Sequence, residues 1–204
     1  MKEITSYNRA VQYMSKVFKM VNEEYFGNKL EMPTITIQST VGAYGHVTTS
    51  KVWKTDAGNA SYELNIGADY LNRPIENIVA TLIHEGCHLY AMQNGIKDTS
   101  NRGCYHNRRF KALAESRGLI ISQHPVYGWT LTQPSEKTLE FCEKYGLKEV
   151  LINRGAVHWT DEEPDIPVVK KSIRWICPKC AAIIRSTKNV NAICGDCNLP
   201  FIKS

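Results

Sequence analysis

The chain contains 204 residues, and its hydrophobic fraction of 43% is enough for the core of one ordinary domain with a small appendage. It has no apolar run of about 18 residues, and its start, MKEITSYNRA, lacks an apolar segment. The sequence therefore predicts neither a membrane span nor a signal peptide, and we expect a cytoplasmic protein. The net charge of +5 is uneven, because residues 166–204 carry +6 and residues 1–165 carry −1. We expect attraction to polyanions, and with it any association with the nucleoid, to lie in the C-terminal segment.

The first predicted elements are one helix and a group of strands. Apolar residues at helical spacing predict a helix from Tyr7 to Phe26 that ends at Gly27. Three segments rich in β-branched and aromatic residues follow, TITIQS (34–39), AYGHVTTS (43–50) and YELNIG (62–67). Because turn residues separate them, they predict a small antiparallel sheet.

Three further helices are predicted. The second has Asn72 as its expected N-cap, Pro74 in its first turn and a stop at Asn94–Gly95. The third runs from about His106 to Arg117. In GWTLTQPSEKTLEFCEKYGL, residues 128–147, we expect a turn and then a short amphipathic helix.

The second helix carries the motif that bears most directly on function, TLIHEGCHLY, residues 81–90. His84 and His88 are four residues apart, so on a helix their imidazoles lie one turn apart and can point at one position. Two such histidines can bind one zinc ion, and Glu85 beside them can act as general base and then acid for a zinc-activated water. The pattern favours peptide hydrolysis, and the alternative is an ordinary structural helix.

A zinc site of this kind needs a third protein ligand. His106 lies beyond a polar loop, at the expected start of the third helix, where the chain could fold back onto the first two histidines. His46, His124 and His158 are the alternatives. Of these, His46 lies in a predicted strand, and the other two lie in turn or linker sequence.

Residues 62–119, which contain the HExxH helix and YHNRRF (105–110), resemble the SprT-like zinc metalloprotease family, a relative of the eukaryotic Spartan protease. In that family a third zinc-binding histidine is followed four residues later by a phenylalanine, and YHNRRF supplies His106 and Phe110. The resemblance extends over about residues 7–150. It implies a zincin-like fold, one catalytic zinc and peptide hydrolysis, and for Spartan it implies substrates crosslinked to DNA.

The C-terminal segment holds four cysteines as CPKC (177–180) and CGDC (194–197). Two such pairs in a chain expected in the cytoplasm favour a closed structural zinc site with Cys177, Cys180, Cys194 and Cys197 as ligands. The segment between the pairs, AAIIRSTKNVNAI, predicts two short strands around a turn, which would make a zinc ribbon. A ribbon this small has almost no core, so metal binding would provide its folding free energy.

Basic residues surround these cysteines and could contact nucleic-acid phosphates, with Trp175 nearby for stacking on a base. The candidates are Lys170, Lys171, Arg174, Lys179, Arg185 and Lys188. Contact with a protein and simple support of folding are the alternatives for this segment.

The sequence thus predicts an α+β protein with a zincin-like metalloprotease domain (1–152), a linker (153–173) and a four-cysteine zinc ribbon (174–204). It would bind one catalytic and one structural zinc and would act on a protein, including one held on DNA. One rival is a DNA-binding regulator without enzymatic activity, in which the first zinc only stabilises the fold. Another is a hydrolase of nucleic acids, which a one-metal site suits less well.

Overall fold

The computed structural model of the chain describes residues 3–40, 42–101, 103–155 and 173–203. The chain divides into two compact units, residues 1–156 and 157–204, which we call the N-terminal unit and the C-terminal unit. The described residues contain four α-helices and several small sheets, which confirms the predicted α+β class. Among these residues, no helix combines the length and the apolar character that a membrane span requires.

Helix α1 (Tyr7–Phe26) has the bounds that the sequence predicts. It ends because Gly27 adopts a left-handed conformation (φ 61°), which glycine takes without steric cost. The inner face of the helix is fully buried and carries Met14, Val17, Phe18 and Val21. The helix therefore forms one side of the core of the N-terminal unit.

Five strands follow: β1 (Thr34–Gln38), β2 (Gly45–Val47), β3 (Trp53–Lys54), β4 (Ala60–Ser61) and β5 (Glu63–Gly67). Strands β3 and β4 form a separate hairpin, and the other three form a sheet in the order β1–β5–β2. The predicted antiparallel sheet is wrong in one respect, since β2 pairs antiparallel with β5 but β1 pairs parallel with it. The chain reverses direction at β2 and again before β5, and β5 then lies between β1 and β2 in the sheet.

Helix α2 (Ile75–Gln93) runs through the middle of the N-terminal unit and is buried around most of its surface. The predicted N-cap at Asn72 is wrong, because Pro74 is extended (ψ 142°) and its carbonyl accepts the first helical hydrogen bonds. Gly86 allows α2 to approach α1 closely, since a Cβ atom there would lie 2.9 Å from the Phe26 ring.

A second sheet covers α2. The elements that follow α2 along the chain are four strands of this sheet and two helices: β6 (Thr99–Ser100), β7 (Tyr105–His106), α3 (Arg108–Ser116), β8 (Leu119–His124), β9 (Gly128–Pro134) and α4 (Glu136–Lys144). The strands are arranged as β6–β7–β9–β8. Two predictions are wrong: His106 lies in a strand before α3, and residues 128–134 form a strand where a turn was expected. Asn107 is the N-cap of α3 and accepts from two N–H groups of its first turn, which explains why the helix begins at Arg108.

The C-terminal unit contains a small antiparallel sheet of β10 (Ile173–Ile176), β11 (Ile183–Ser186) and β12 (Ile202–Lys203) in the order β11–β10–β12. The prediction of two strands between the cysteine pairs is wrong, because β11 is the only strand there. Its main partner, β10, precedes the first cysteine pair.

Most of the predicted linker, residues 153–173, lies outside the described residues, as do Lys170, Lys171 and His158. Its first three residues are described, and two of them form hydrogen bonds with other parts of the N-terminal unit. The side chain of Asn153 accepts a hydrogen bond from the Leu71 N–H, and the N–H of Arg154 donates to the Ala68 carbonyl.

Candidate metal centres

Three imidazoles converge on one point between α2 and β7. The Nε2 atom of His88 lies 3.2 Å from Nε2 of His84 and 3.0 Å from Nε2 of His106, and the latter two atoms are 3.3 Å apart. Nitrogen ligands arranged tetrahedrally around zinc are separated by about 3.3 Å. The triangle therefore has the dimensions of a zinc site with three histidine ligands.

Hydrogen bonds at Nδ1 orient the two histidines of α2. The Thr132 hydroxyl donates to the Thr130 carbonyl at 3.2 Å, so its oxygen accepts from Nδ1–H of His84 at 2.8 Å. Nδ1–H of His88 donates to the buried Asp98 carboxylate at 2.6 Å. Both rings therefore carry their proton on Nδ1 and present the lone pair of Nε2 to the common point, as metal ligands do.

Phe110 packs against all three imidazoles, with ring centroids 4.6 Å from His84, 4.6 Å from His88 and 4.7 Å from His106. Burial lowers the pKa of His84 well below its usual range, and the neighbouring imidazoles lower it further. The same two causes lower the pKa of His106 to about 4. Neutral imidazoles are the form that coordinates zinc, so the buried site favours the protonation state that a metal needs.

Strand β9 positions the third histidine. The N–H of His106 donates to the Tyr127 carbonyl at 2.9 Å, and His106 is the register partner of Gly128. Gly128 has a φ of 72°, and a Cβ atom there would overlap the His106 carbonyl oxygen and lie 2.8 Å from the Tyr105 ring. Only glycine fits at this position, and it brings β9 close enough to hold His106 over α2.

Glu85 is buried beside His84, where α2 meets strand β2. Burial raises the pKa of its carboxyl to about 7, although the nearby His88 ring and the N–H of Val47 act in the opposite direction. Gly45 allows the close approach of β2, since a Cβ atom there would lie 3.0 Å from Cγ2 of Thr81 and 3.5 Å from Cγ of Glu85. Glu85 is therefore a carboxyl group able to take up and release a proton near neutral pH.

The four cysteines of the C-terminal unit form a second cluster, with all sulfur atoms within 4.8 Å of one another. Sγ of Cys180 lies 3.6 Å from Sγ of Cys194, close to the separation of about 3.8 Å expected for thiolates on a tetrahedral zinc. Backbone N–H groups at Cys180 and Lys179 lower the pKa of the Cys177 thiol to about 7. Hydrogen bonding to Cys180, together with desolvation, raises the pKa of Cys197 to about 12. The set thus fits zinc, whose charge would allow all four groups to ionise.

The SprT-like family profile matches residues 14–126, which is more than half of the chain and includes all three histidines of the triangle. The chain belongs to the SprT-like family. This confirms the resemblance seen in the sequence, and it makes the protein a member of a family of metalloprotease type. No curated protein matches the chain.

In this SprT-like protein the structure brings His84, His88 and His106 together, with Glu85 buried next to His84 on α2, and leaves the other described histidines elsewhere. His46 is exposed on β2. Nδ1 of His124 accepts hydrogen bonds from the N–H groups of Val126 and Tyr127 at the turn between β8 and β9.

Sequence reasoning missed the groups that orient the ligands. Asp98 could have been suspected, because it is the only acidic residue between His88 and His106. Gly128 and Thr132 gave no comparable signal, because their segment, GWTLTQP, reads as a turn and its pairing with β7 depends on contacts distant in the chain.

Four of the six basic residues predicted to contact phosphate are described, and all four are exposed: Arg174, Lys179, Arg185 and Lys188. Arg174 of β10 and Arg185 of β11 are direct cross-strand partners. Like charges directly opposite each other are unfavourable in a sheet.

Proposed function

We propose that this SprT-like protein is a zinc-dependent endopeptidase with a zincin-like N-terminal unit and a C-terminal zinc ribbon. One observation carries the proposal: three imidazoles converge at metal-ligand distances next to a buried carboxyl group whose pKa is about 7. Zinc held by His84, His88 and His106 would supply a Lewis acid that lowers the pKa of a bound water to about 7.

Glu85 performs the proton transfers in this proposal. Its carboxylate accepts the proton of the attacking water and, as the carboxylic acid, gives it to the leaving amine. Both steps require a group that changes protonation state near neutral pH, which burial provides. Asp98 and Thr132 support the reaction indirectly, because they fix the rings of His88 and His84.

Strand β2 supports a peptide substrate rather than a nucleic acid. Its pairing with β5 uses the carbonyl of Tyr44 and the N–H of Thr48, so the backbone groups of Gly45 and Val47 point to the opposite edge. No other described strand pairs with that edge, which lies beside Glu85. The Val47 N–H already faces Glu85. An extended peptide could add to β2 there through main-chain hydrogen bonds to Gly45 and to the Val47 carbonyl, and bring its own carbonyl carbon to the site.

The substrate that we propose is a protein held on DNA. The basic residues of the C-terminal unit, including the cross-strand pair Arg174 and Arg185, would bind phosphates and retain the enzyme on the same DNA as its substrate. The structural zinc of the ribbon would hold this surface in shape.

The test compares the wild type with Glu85→Gln, incubated with zinc and a DNA-binding protein, with and without single-stranded DNA, and analysed for fragments on a gel. Glu140→Gln, an exposed carboxyl on α4, is the matched control. We expect cleavage by the wild type and by the control, stimulation by DNA, and loss of cleavage in Glu85→Gln with zinc content unchanged. If neither the wild type nor Glu85→Gln cuts any protein, including itself, while both bind DNA equally, the protein is a regulator and the protease proposal fails.

A further inference from the structure

The N-terminal unit has a net charge close to zero, but one of its segments is strongly positive. Residues 97–117 contain six basic residues and two acids, a net charge of +4, whereas residues 1–165 together carry −1. Four of the six lie at or near the start of α3: Lys97, Arg108, Arg109 and Lys111. We call these four residues the α3 basic surface.

The members of this surface lie together in space because Asn107 joins the two segments that carry them. Its Nδ2 donates to the Lys97 carbonyl at 2.9 Å, and its side-chain oxygen accepts from the N–H of Arg109 at 2.8 Å. His106 immediately precedes Asn107. The α3 basic surface therefore borders the candidate catalytic site.

The two acids of this segment neutralise only one member of the surface, Lys111. Asp98 is buried and accepts from Nδ1–H of His88, and Glu115 lies 3.6 Å from the Lys111 ammonium group. Lys97, Arg108 and Arg109 are exposed and form no ion pair with any other described residue. Arg108 and Arg109 also occupy the first turn of α3, where the helix dipole disfavours positive charge. Since this arrangement costs stability, an external anion is the better explanation for it.

Aromatic side chains beside the surface favour a nucleic acid over an acidic peptide. The Lys111 ammonium lies 4.1 Å from the centroid of the Trp129 ring. Tyr127, whose carbonyl holds the His106 N–H, is 51% exposed and stacks on His124 with an interplanar angle of 26°. Trp129 is half-buried and already contacts Lys111, so Tyr127 is the ring on which a base could stack. Surfaces that bind single strands combine such a ring with cationic side chains that pair with phosphates.

We propose that the α3 basic surface, with Tyr127, binds single-stranded nucleic acid and leads the strand past His106. The inference rests on the proposed function in one respect, since it gives a reason for the strand to pass the site: a protein attached to the strand would meet Glu85 as it arrives. It differs from the C-terminal contact in placing nucleic acid on the N-terminal unit itself.

The test uses full-length, zinc-loaded protein with Glu85→Gln, so that binding is measured without cleavage. Arg108→Glu/Arg109→Glu is compared with Lys16→Glu/Lys19→Glu, which makes the same change of charge at exposed positions on α1. Fluorescence anisotropy of a labelled oligothymidine reports the Kd over a series of salt concentrations. Glutamate in the first turn suits the dipole of α3, so the first variant should melt no lower than its parent.

We expect the α3 variant to weaken binding at least tenfold. It should also reduce the slope of log K against log salt by about 0.7 for each phosphate that is no longer neutralised. The α1 variant should change the Kd and the salt slope by less. Tyr127→Ala should weaken binding about fivefold or more, with little change in the salt slope. Equal Kd values for the α3 and α1 variants overturn the proposal. The proposal is also overturned if the α3 variant binds DNA as its parent does but, with Glu85 intact, cleaves an acidic protein more slowly, because the surface then binds the protein substrate. If binding falls as expected but the wild type cleaves nothing, the protease proposal fails and this one stands.

Discussion

The two candidate metal centres differ in what holds their ligands in place. The three histidines lie on a buried helix and a paired strand, and Phe110, Asp98 and Thr132 contact their rings. The four cysteines lie in a small unit whose sheet leaves several isoleucines largely exposed, among them Ile183 (51%) and Ile202 (54%). A core holds the three histidines together without a metal, whereas the cysteine cluster lacks such a core, so we expect it to depend on a bound metal. The comparison teaches that a metal at the first centre would bind to a finished fold, whereas a metal at the second centre would be part of what makes the fold.

Removal of zinc should give the largest effect and should separate the two units. With a chelator, the C-terminal unit should lose its structure, since structural zinc provides on the order of 10 kcal/mol of folding free energy in such small sites. The N-terminal unit should stay folded. Two-dimensional NMR of the full chain would show dispersed signals collapsing for residues 173–203 only. If both units lose dispersion together, the comparison is wrong.

Gly128→Ala should disrupt the histidine centre, although Gly128 is not itself a ligand. The new Cβ atom would overlap the His106 carbonyl oxygen and force a left-handed backbone on alanine, at a cost of about 3 kcal/mol or more. We expect β7 to move away and zinc binding at the three histidines to fall, measured as metal content after dialysis. Gly58→Ala is the control, because Gly58 has a φ of 82° and no atom within 4 Å of the added Cβ. Equal zinc loss in both variants would mean that backbone strain, and not the contact with His106, is responsible.

Asp98→Asn should have a smaller effect on the same centre. The amide still accepts from Nδ1–H of His88 but no longer carries the charge that strengthens the ligand, so zinc affinity should fall about 10- to 100-fold. Competition with a chromophoric chelator measures the change. Asp56→Asn, an exposed residue between β3 and β4, should leave the affinity unaltered. An affinity within twofold of the wild type in Asp98→Asn would show that the carboxylate does not support the site.

Thr132→Val should give the smallest effect. The substitution keeps the shape of the side chain and removes the oxygen that accepts from His84, a loss of about 1 kcal/mol, or about fivefold in zinc affinity. Thr130→Val is the control, because it removes a hydroxyl from the same strand that is not hydrogen-bonded to an imidazole. Two variants with the same affinity would assign the orientation of His84 to packing alone.

Local patterns made the helical part of the site predictable. The i, i+4 spacing places His84 and His88 on one face of α2 whatever the rest of the chain does, and the cysteine spacing identifies the second cluster in the same way. His106 required the family resemblance, because its place depends on a strand of two residues. The parallel pairing of β1 with β5 and the role of Gly128 were not predictable, since both depend on contacts between segments distant in sequence, and their energies do not appear in any local pattern.

The three histidines are held by different elements, and this difference also determines how a metal would enter and leave. Two ligands share one rigid helix, while the third lies on β7, whose register pairing with β9 is limited to His106 and Gly128. Separation of the short strand β7 from β9 would detach one ligand and leave the other two in place. Metal exchange should therefore proceed through a two-coordinate state, and its rate should follow the hydrogen exchange of the His106 amide rather than the unfolding of α2.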